Sequence, residues 1–84
     1  RGGGVALALT LSGPGEVTLT VRGLSGKMVK QVTSQASGAG TVTVVWDGTD
    51  ANGRDVPRGS YVVEAVATSA NGATSRAVRT VAVN

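Results

Sequence analysis

The stretch VTVVWDGTDANGRDVPRGSYVVEAVA, residues 42–67, decides the fold. Val42, Val44 and Trp46 alternate with Thr41, Thr43 and Val45, the period of a strand with one buried face. Tyr61, Val63, Ala65 and Ala67 repeat that alternation on the far side of a polar centre. The centre, Asp47-Gly48-Thr49-Asp50-Ala51-Asn52-Gly53-Arg54-Asp55, is a cluster of turn formers. Gly48 and Gly53 take positive φ without steric cost, and Asp and Asn side chains bond their own backbone. The stretch is predicted to form a long-looped β-hairpin, with strands at residues 42–46 and 60–67. It carries the only two aromatic residues of the chain.

Working outward, the same period recurs on both sides. Val5, Leu7, Leu9 and Leu11 face one way, with Ala6, Ala8 and Thr10 opposite them. Ser12-Gly13-Pro14-Gly15 is a turn by its dipeptides. Val17, Leu19 and Val21 then mark a strand over residues 16–22. This run pairs with the first across the Pro-Gly turn, or the first strand pairs elsewhere, as it often does in immunoglobulin-like sandwiches. Gly23-Leu24-Ser25-Gly26 is a turn before a third strand at 27–33. Met28, Val29 and Val32 do not share one parity there, which predicts a bulge or an irregular edge. Lys27 and Lys30 on that strand would discourage edge-to-edge pairing with another chain. Residues 34–40 read as a flexible connection. Downstream, Asn71-Gly72 is a strong hairpin signal, and a last strand is expected over 73–83. Its inward set is either Ala77, Val81 and Val83 or Val78 and Ala82. Arg1, Gly2, Gly3 and Gly4 have no pattern and read as a linker or an expression remnant, which leaves residues 5–84 as a single domain.

Composition points the same way. Eighty-four residues make one small domain, with little room for a deep internal cavity. The core is aliphatic, rich in Val, and the β-branched residues suit a pleated, half-buried surface. No stretch keeps a 3.6-residue apolar period for three turns, so no substantial helix is expected. The expectation is an all-β, immunoglobulin- or fibronectin-III-like antiparallel β-sandwich of about seven strands, six or seven by the turn spacing. Cysteine and histidine are absent. That removes disulfides, thiolates, and the usual base and metal ligand. No 18-residue apolar run exists to span a membrane. The net charge of +3 comes from scattered cations with almost no aromatics among them, unlike a nucleic-acid footprint.

Few residues offer chemistry, and each has a plainer reading. Asp47, Asp50, Asn52 and Asp55 carry the oxygen atoms that Ca²⁺ prefers. Set on an EF-hand loop, however, Gly48 and Gly59 take the positions of two essential carboxylates, so the acidic loop is expected to shape its own turn through Asx bonds. Trp46 would serve as a sugar-stacking platform if exposed, but its parity with Val42 and Val44 turns it inward. Tyr61 is expected to face the core with its hydroxyl on a backbone group near the rim, like the tyrosine corner of related sandwiches. Glu64 sits mid-strand and should face solvent. No Ser or Thr has a histidine to activate it, and nothing encloses a substrate at the loop carboxylates. No catalytic residue, cofactor site or metal site is expected, and the domain reads as non-enzymatic.

One resemblance reaches further. Trp46-Asp47-Gly48-Thr49-Asp50, Gly53, Pro57, Gly59 and Tyr61 follow the pattern W-D-G-x-D-x-x-G-x-x-x-P-x-G-x-Y. Val17, Leu19, Val21, Gly26, Val29 and Ala39-Gly40 follow V-x-L-x-V-x-D-x-x-G-x-x-V…A-G. Together these resemble the immunoglobulin-like domain of the flagellar hook-capping protein family, a module also appended to many secreted bacterial proteins. The match departs at Gly23, where an Asp is usual, and over residues 33–38, where Leu-Gly is usual. The resemblance implies a structural motif formed by Trp46, Asp47, Gly48, Asp50, Gly53, Pro57, Gly59 and Tyr61. It also implies a bacterial, extracytoplasmic module that acts by protein–protein contact at the flagellar hook, in secretion or on the cell surface. Its partners would be hook subunits, the remainder of its own parent chain, or further copies of itself, with no nucleic acid and no membrane insertion. The alternatives are a C-terminal spacer, anchoring or sorting domain of a secreted enzyme or surface protein, and a carbohydrate-binding module using Trp46 and the acidic loop.

Overall fold

A computed structural model of the chain describes residues 4–83. Six strands follow one another: β1 (Val5–Leu11), β2 (Gly15–Gly23), β3 (Met28–Ala36), β4 (Gly40–Trp46), β5 (Gly59–Ser69) and β6 (Thr74–Val83). No helix occurs among the described residues. The strands form two antiparallel sheets, one ordered β3-β2-β5-β6 and the other made of β1 and β4 alone. Residues 1–3 of the expected linker, and Asn84 at the end of the expected domain, lie outside the described residues.

β4 and β5 are not neighbours, which corrects the hairpin predicted for residues 42–67. β4 pairs with β1, from Val5↔Trp46 to Leu11↔Gly40, while β5 lies between β2 and β6. The polar connector, residues 47–58, therefore carries the chain from one sheet to the other. Alternation tells which side of a strand is buried and is silent about the strand beside it. Two inward faces that oppose each other across a core leave the same period as two strands laid side by side. The first run likewise finds its partner in β4 rather than across the Pro-Gly turn.

Between the sheets, Leu7, Leu9 and Leu11 of β1 meet Val17, Leu19 and Val21 of β2 and Val63, Ala65 and Ala67 of β5, with Trp46, Val56, Tyr61 and Val83 also buried. The uncertain last strand adopts the odd register: Val83 is buried, and Ala77 and Val81 pack on the core. Asn71-Gly72 forms the β5–β6 turn, with Gly72 at φ 90 and the Ala73 N–H on Asn71 Oδ1 at 3.1 Å.

β3 differs from its expectation in two ways. Its broken parity is a bulge: Val21 pairs with Lys30 and Arg22 with Met28, which leaves Val29 as the extra residue. The strand also runs on to Ala36, so the flexible connection expected over 34–40 shrinks to residues 37–39. Ser34, Gln35 and Ala36 pair with Val17, Glu16 and Gly15, and Gln35 Nε2 donates to Glu16 Oε2 at 3.1 Å. A small, polar segment gains its strand from a well-patterned neighbour, which no local signal reveals.

Candidate functional site

The connector from β4 to β5 is built around the two rings at its ends. Trp46 is 1% exposed, and its ring lies 5.6 Å from that of Tyr61 at a tilt of 57°, a favourable aromatic separation. The indole N–H donates to the Thr49 carbonyl at 2.8 Å. The Tyr61 hydroxyl donates to the Pro57 carbonyl at 2.6 Å. Each ring thus fills the core with its body and ties down one end of the connector with its polar atom. The buried indole offers no face to a sugar, so the carbohydrate reading loses its platform.

Within the connector, carboxylates meet backbone amides. Asp47 Oδ1 accepts the Thr49 N–H at 3.1 Å and the Thr49 hydroxyl at 2.5 Å. Asp50 Oδ1 accepts the N–H groups of Asn52 and Arg54 at 2.9 and 3.1 Å. The Asp50 N–H donates to the Arg54 carbonyl and the Gly53 N–H to the Asp50 carbonyl. Gly48 and Gly53 turn the chain at φ 85 and 81, angles that a Cβ disfavours. Thr49 and Asp55 form an isolated antiparallel bridge, and the Val56 N–H closes on the Gly48 carbonyl. Gly59 stands at φ 150 where β5 begins. The Asx geometry accounts for the acidic side chains as turn-shaping groups. Three or more of the described Asp and Glu side chains nowhere gather as a metal ligand set.

Three residues outside the expected motif, Lys30, Thr49 and Val29, complete the site. Lys30 of β3 donates from Nζ to Thr49 Oγ1 at 2.9 Å and stands 3.5 Å from Asp47 Oδ1. The Thr49 hydroxyl thereby accepts from the ammonium and donates to the carboxylate. The Thr49 hydroxyl bond, the largest influence, holds the Asp47 carboxyl below its ordinary pKa against the opposing effect of desolvation, with smaller help from the Thr49 N–H and the Lys30 charge. Val29, the bulged residue of β3, accepts the Ala51 N–H on its carbonyl at 3.2 Å. The connector is therefore moored to the edge of the large sheet as well as to the core. Thr49 occupies an unspecified position of the W-D-G-x-D pattern, and Lys30 read as an edge-protecting charge. No sequence signal joins two residues so far apart along the chain.

Between this connector and the β2–β3 turn lies an open groove of about 380 Å³, lined by Lys27, Met28, Val29, Asp50, Val56 and Tyr61 among others. Met28 in its lining is 50% exposed, and Leu24 in the β2–β3 turn is 72% exposed. Glu64 lies on the outer face of the large sheet, as expected, yet it is largely covered there. Arg22 Nη1 reaches it at 3.2 Å and Arg76 Nη2 at 2.5 Å, a cross-strand cluster formed by cations that are scattered in sequence.

The model of the FlgD Ig-like domain family matches residues 1–71. FlgD from Xanthomonas campestris, solved for insights into the hook capping essential for flagellar assembly, aligns with 95% of this chain at 35% identity and a TM-score of 0.73. FlgD from P. aeruginosa aligns with 92% at 26% identity and a TM-score of 0.70. Truncated FlgD from Helicobacter pylori, at 18% identity and a TM-score of 0.58, shares the fold over 89% of the chain. The chain spans 57%, 61% and 59% of those three proteins, less than two thirds of each. No curated protein sequence matches it. By the match over residues 1–71 and the two-sheet architecture it shares with these structures, the chain belongs to the family of FlgD Ig-like domains.

Proposed function

We propose that this domain is a non-catalytic structural module that assists assembly outside the cytoplasm through protein–protein contacts, with flagellar hook subunits as partners. The observation that carries the reading is its membership of the FlgD Ig-like family, together with 35% identity to a protein whose hook capping is essential for flagellar assembly. The geometry supports it. Asp47 and Asp50 are engaged by Thr49, Asn52 and Arg54, so they shape a rigid bend. The motif residues Trp46, Gly48, Gly53, Pro57, Gly59 and Tyr61 serve that bend rather than a substrate. The groove beside it presents exposed Met28, and Leu24 is exposed in the β2–β3 turn, the kind of apolar surface that a protein contact covers.

The test is a deletion of this domain from its parent gene in the source bacterium, with hooks counted by electron microscopy. Loss of hook polymerisation, restored by the intact gene, is the expected result. Normal hooks together with loss of a secreted or surface activity would replace this reading with that of an accessory spacer or sorting domain.

A further inference from the structure

The two sheets do not match in width. β1 lies against β5 and β6, with β4 beside it as the other strand of the small sheet. Among the described residues, the small sheet makes no extensive contact with β3. The consequences appear along one lane. Val32 of β3, directly across from the buried Leu19 and so on the same inner face, is 40% exposed. Val42 and Val44 of β4 are only half-buried although their parity is inward. A cleft of about 320 Å³ runs between them, lined by Leu19, Val32, Ser34, Thr43, Val44 and Val45. One wall of this cleft is the outer edge of β4, which has β1 as its single strand neighbour. An open strand edge presents unpaired N–H and C=O groups, a template for one more strand.

We propose that this edge is an acceptor site for one extended segment of a partner protein, which enters as a third strand of the small sheet and roofs the inner face of β3. The inference deepens the assembly reading by naming a contact surface. The chemistry of the occupant follows from the walls. Main-chain bonds to β4 supply the affinity, and alternate side chains facing Leu19 and Val32 must be small or β-branched and uncharged.

Area selects a lone segment over a second folded copy. At about 3.4 Å per residue, the seven residues of β4 offer a lane about 24 Å long. With one inter-strand and one inter-sheet spacing for its walls, that lane covers on the order of 350 Å². A stable dimer needs about 800 Å² per partner.

The experiment supplies the strand in cis. The chain is extended at its C-terminus by a Gly/Ser linker and a Thr-Val-Thr-Val-Thr-Val segment. A linker of about 15 residues has an r.m.s. reach of about 21 Å, matching the 21 Å intermediate extent of the molecule, and tethering raises the effective concentration to the millimolar range. Against a chain carrying an all-Gly/Ser tail of equal length, the melting temperature should rise by several degrees. Amide exchange over residues 41–45 should slow by about tenfold. Val32→Glu and, separately, Ser34→Glu place a charge in the lane at exposed positions and should abolish both gains while leaving the untailed fold intact. Equal melting temperatures, gains that survive both substitutions, or concentration-dependent dimerisation of the untailed chain would each overturn the proposal. Because no hook subunit takes part, such a failure removes this edge as the docking place and leaves the hook-assembly test to be decided separately.

Discussion

Trp46 is held at two points, by its ring against Tyr61 and by its N–H on the Thr49 carbonyl. Truncation removes both and leaves a void that a small aliphatic core cannot close. Trp46→Ala should therefore destabilise the domain by about 3–5 kcal/mol in urea unfolding, as large core truncations do. A loss below about 1 kcal/mol would contradict the buried geometry. Asp47 gives a prediction of a different kind. Its folded-state pKa is lowered, first by the Thr49 hydroxyl and also by Lys30. The stability it contributes is thus present above the ordinary carboxylate pKa and is lost as pH falls through the folded value. Thr49→Val removes the main cause, so the Asp47 carboxyl resonance should titrate at higher pH, nearer its ordinary value. An unchanged titration would show that another group sets the shift.

At the scale of elements, the tightest constraint is where β2 meets β5. A Cβ at Gly15 would stand 2.8 Å from Ser69 Cα and closer still to the Thr68 carbonyl oxygen, both backbone atoms that a side-chain rotation cannot move. Gly13, two residues earlier in the same turn, has nothing within 4 Å of such a Cβ. Gly15→Ala should lower stability by about 2 kcal/mol, as overpacking does, whereas Gly13→Ala should stay within about 0.5 kcal/mol. Paired thermal melts measure the difference, and equal effects would mean that β2 and β5 do not approach as closely as described. The β2–β3 ladder teaches a related lesson. The polar residues of β3 become a strand through their register with Val17, Leu19 and Val21. The bulge at Val29 then turns a carbonyl toward the connector.

At the scale of the whole molecule, the connector behaves as a clasp between sheets, closed by its own amides and by Lys30. Adding Ca²⁺ should leave the melting temperature unchanged, because Asp50 already accepts two loop amides and glycines stand where an EF-hand needs its outer carboxylates. A rise of several degrees would instead signal linked binding. Much of this was legible beforehand. The inward residues of β1, β2 and β5, the turn at Asn71-Gly72, the bulge in β3 and the inward rings of Trp46 and Tyr61 all follow from period, turn chemistry and residue type, which are local properties. By itself, then, the sequence determined an all-β sandwich, its buried faces and the family to which it belongs. Only the tertiary structure decided that β4 turns to β1 and β5 to β2 and β6, that residues 34–36 extend a strand, and that Lys30 and Thr49 complete the clasp. Strand partners and side-chain partners are chosen by surfaces distant in sequence, and a one-dimensional period carries no record of what lies across the core.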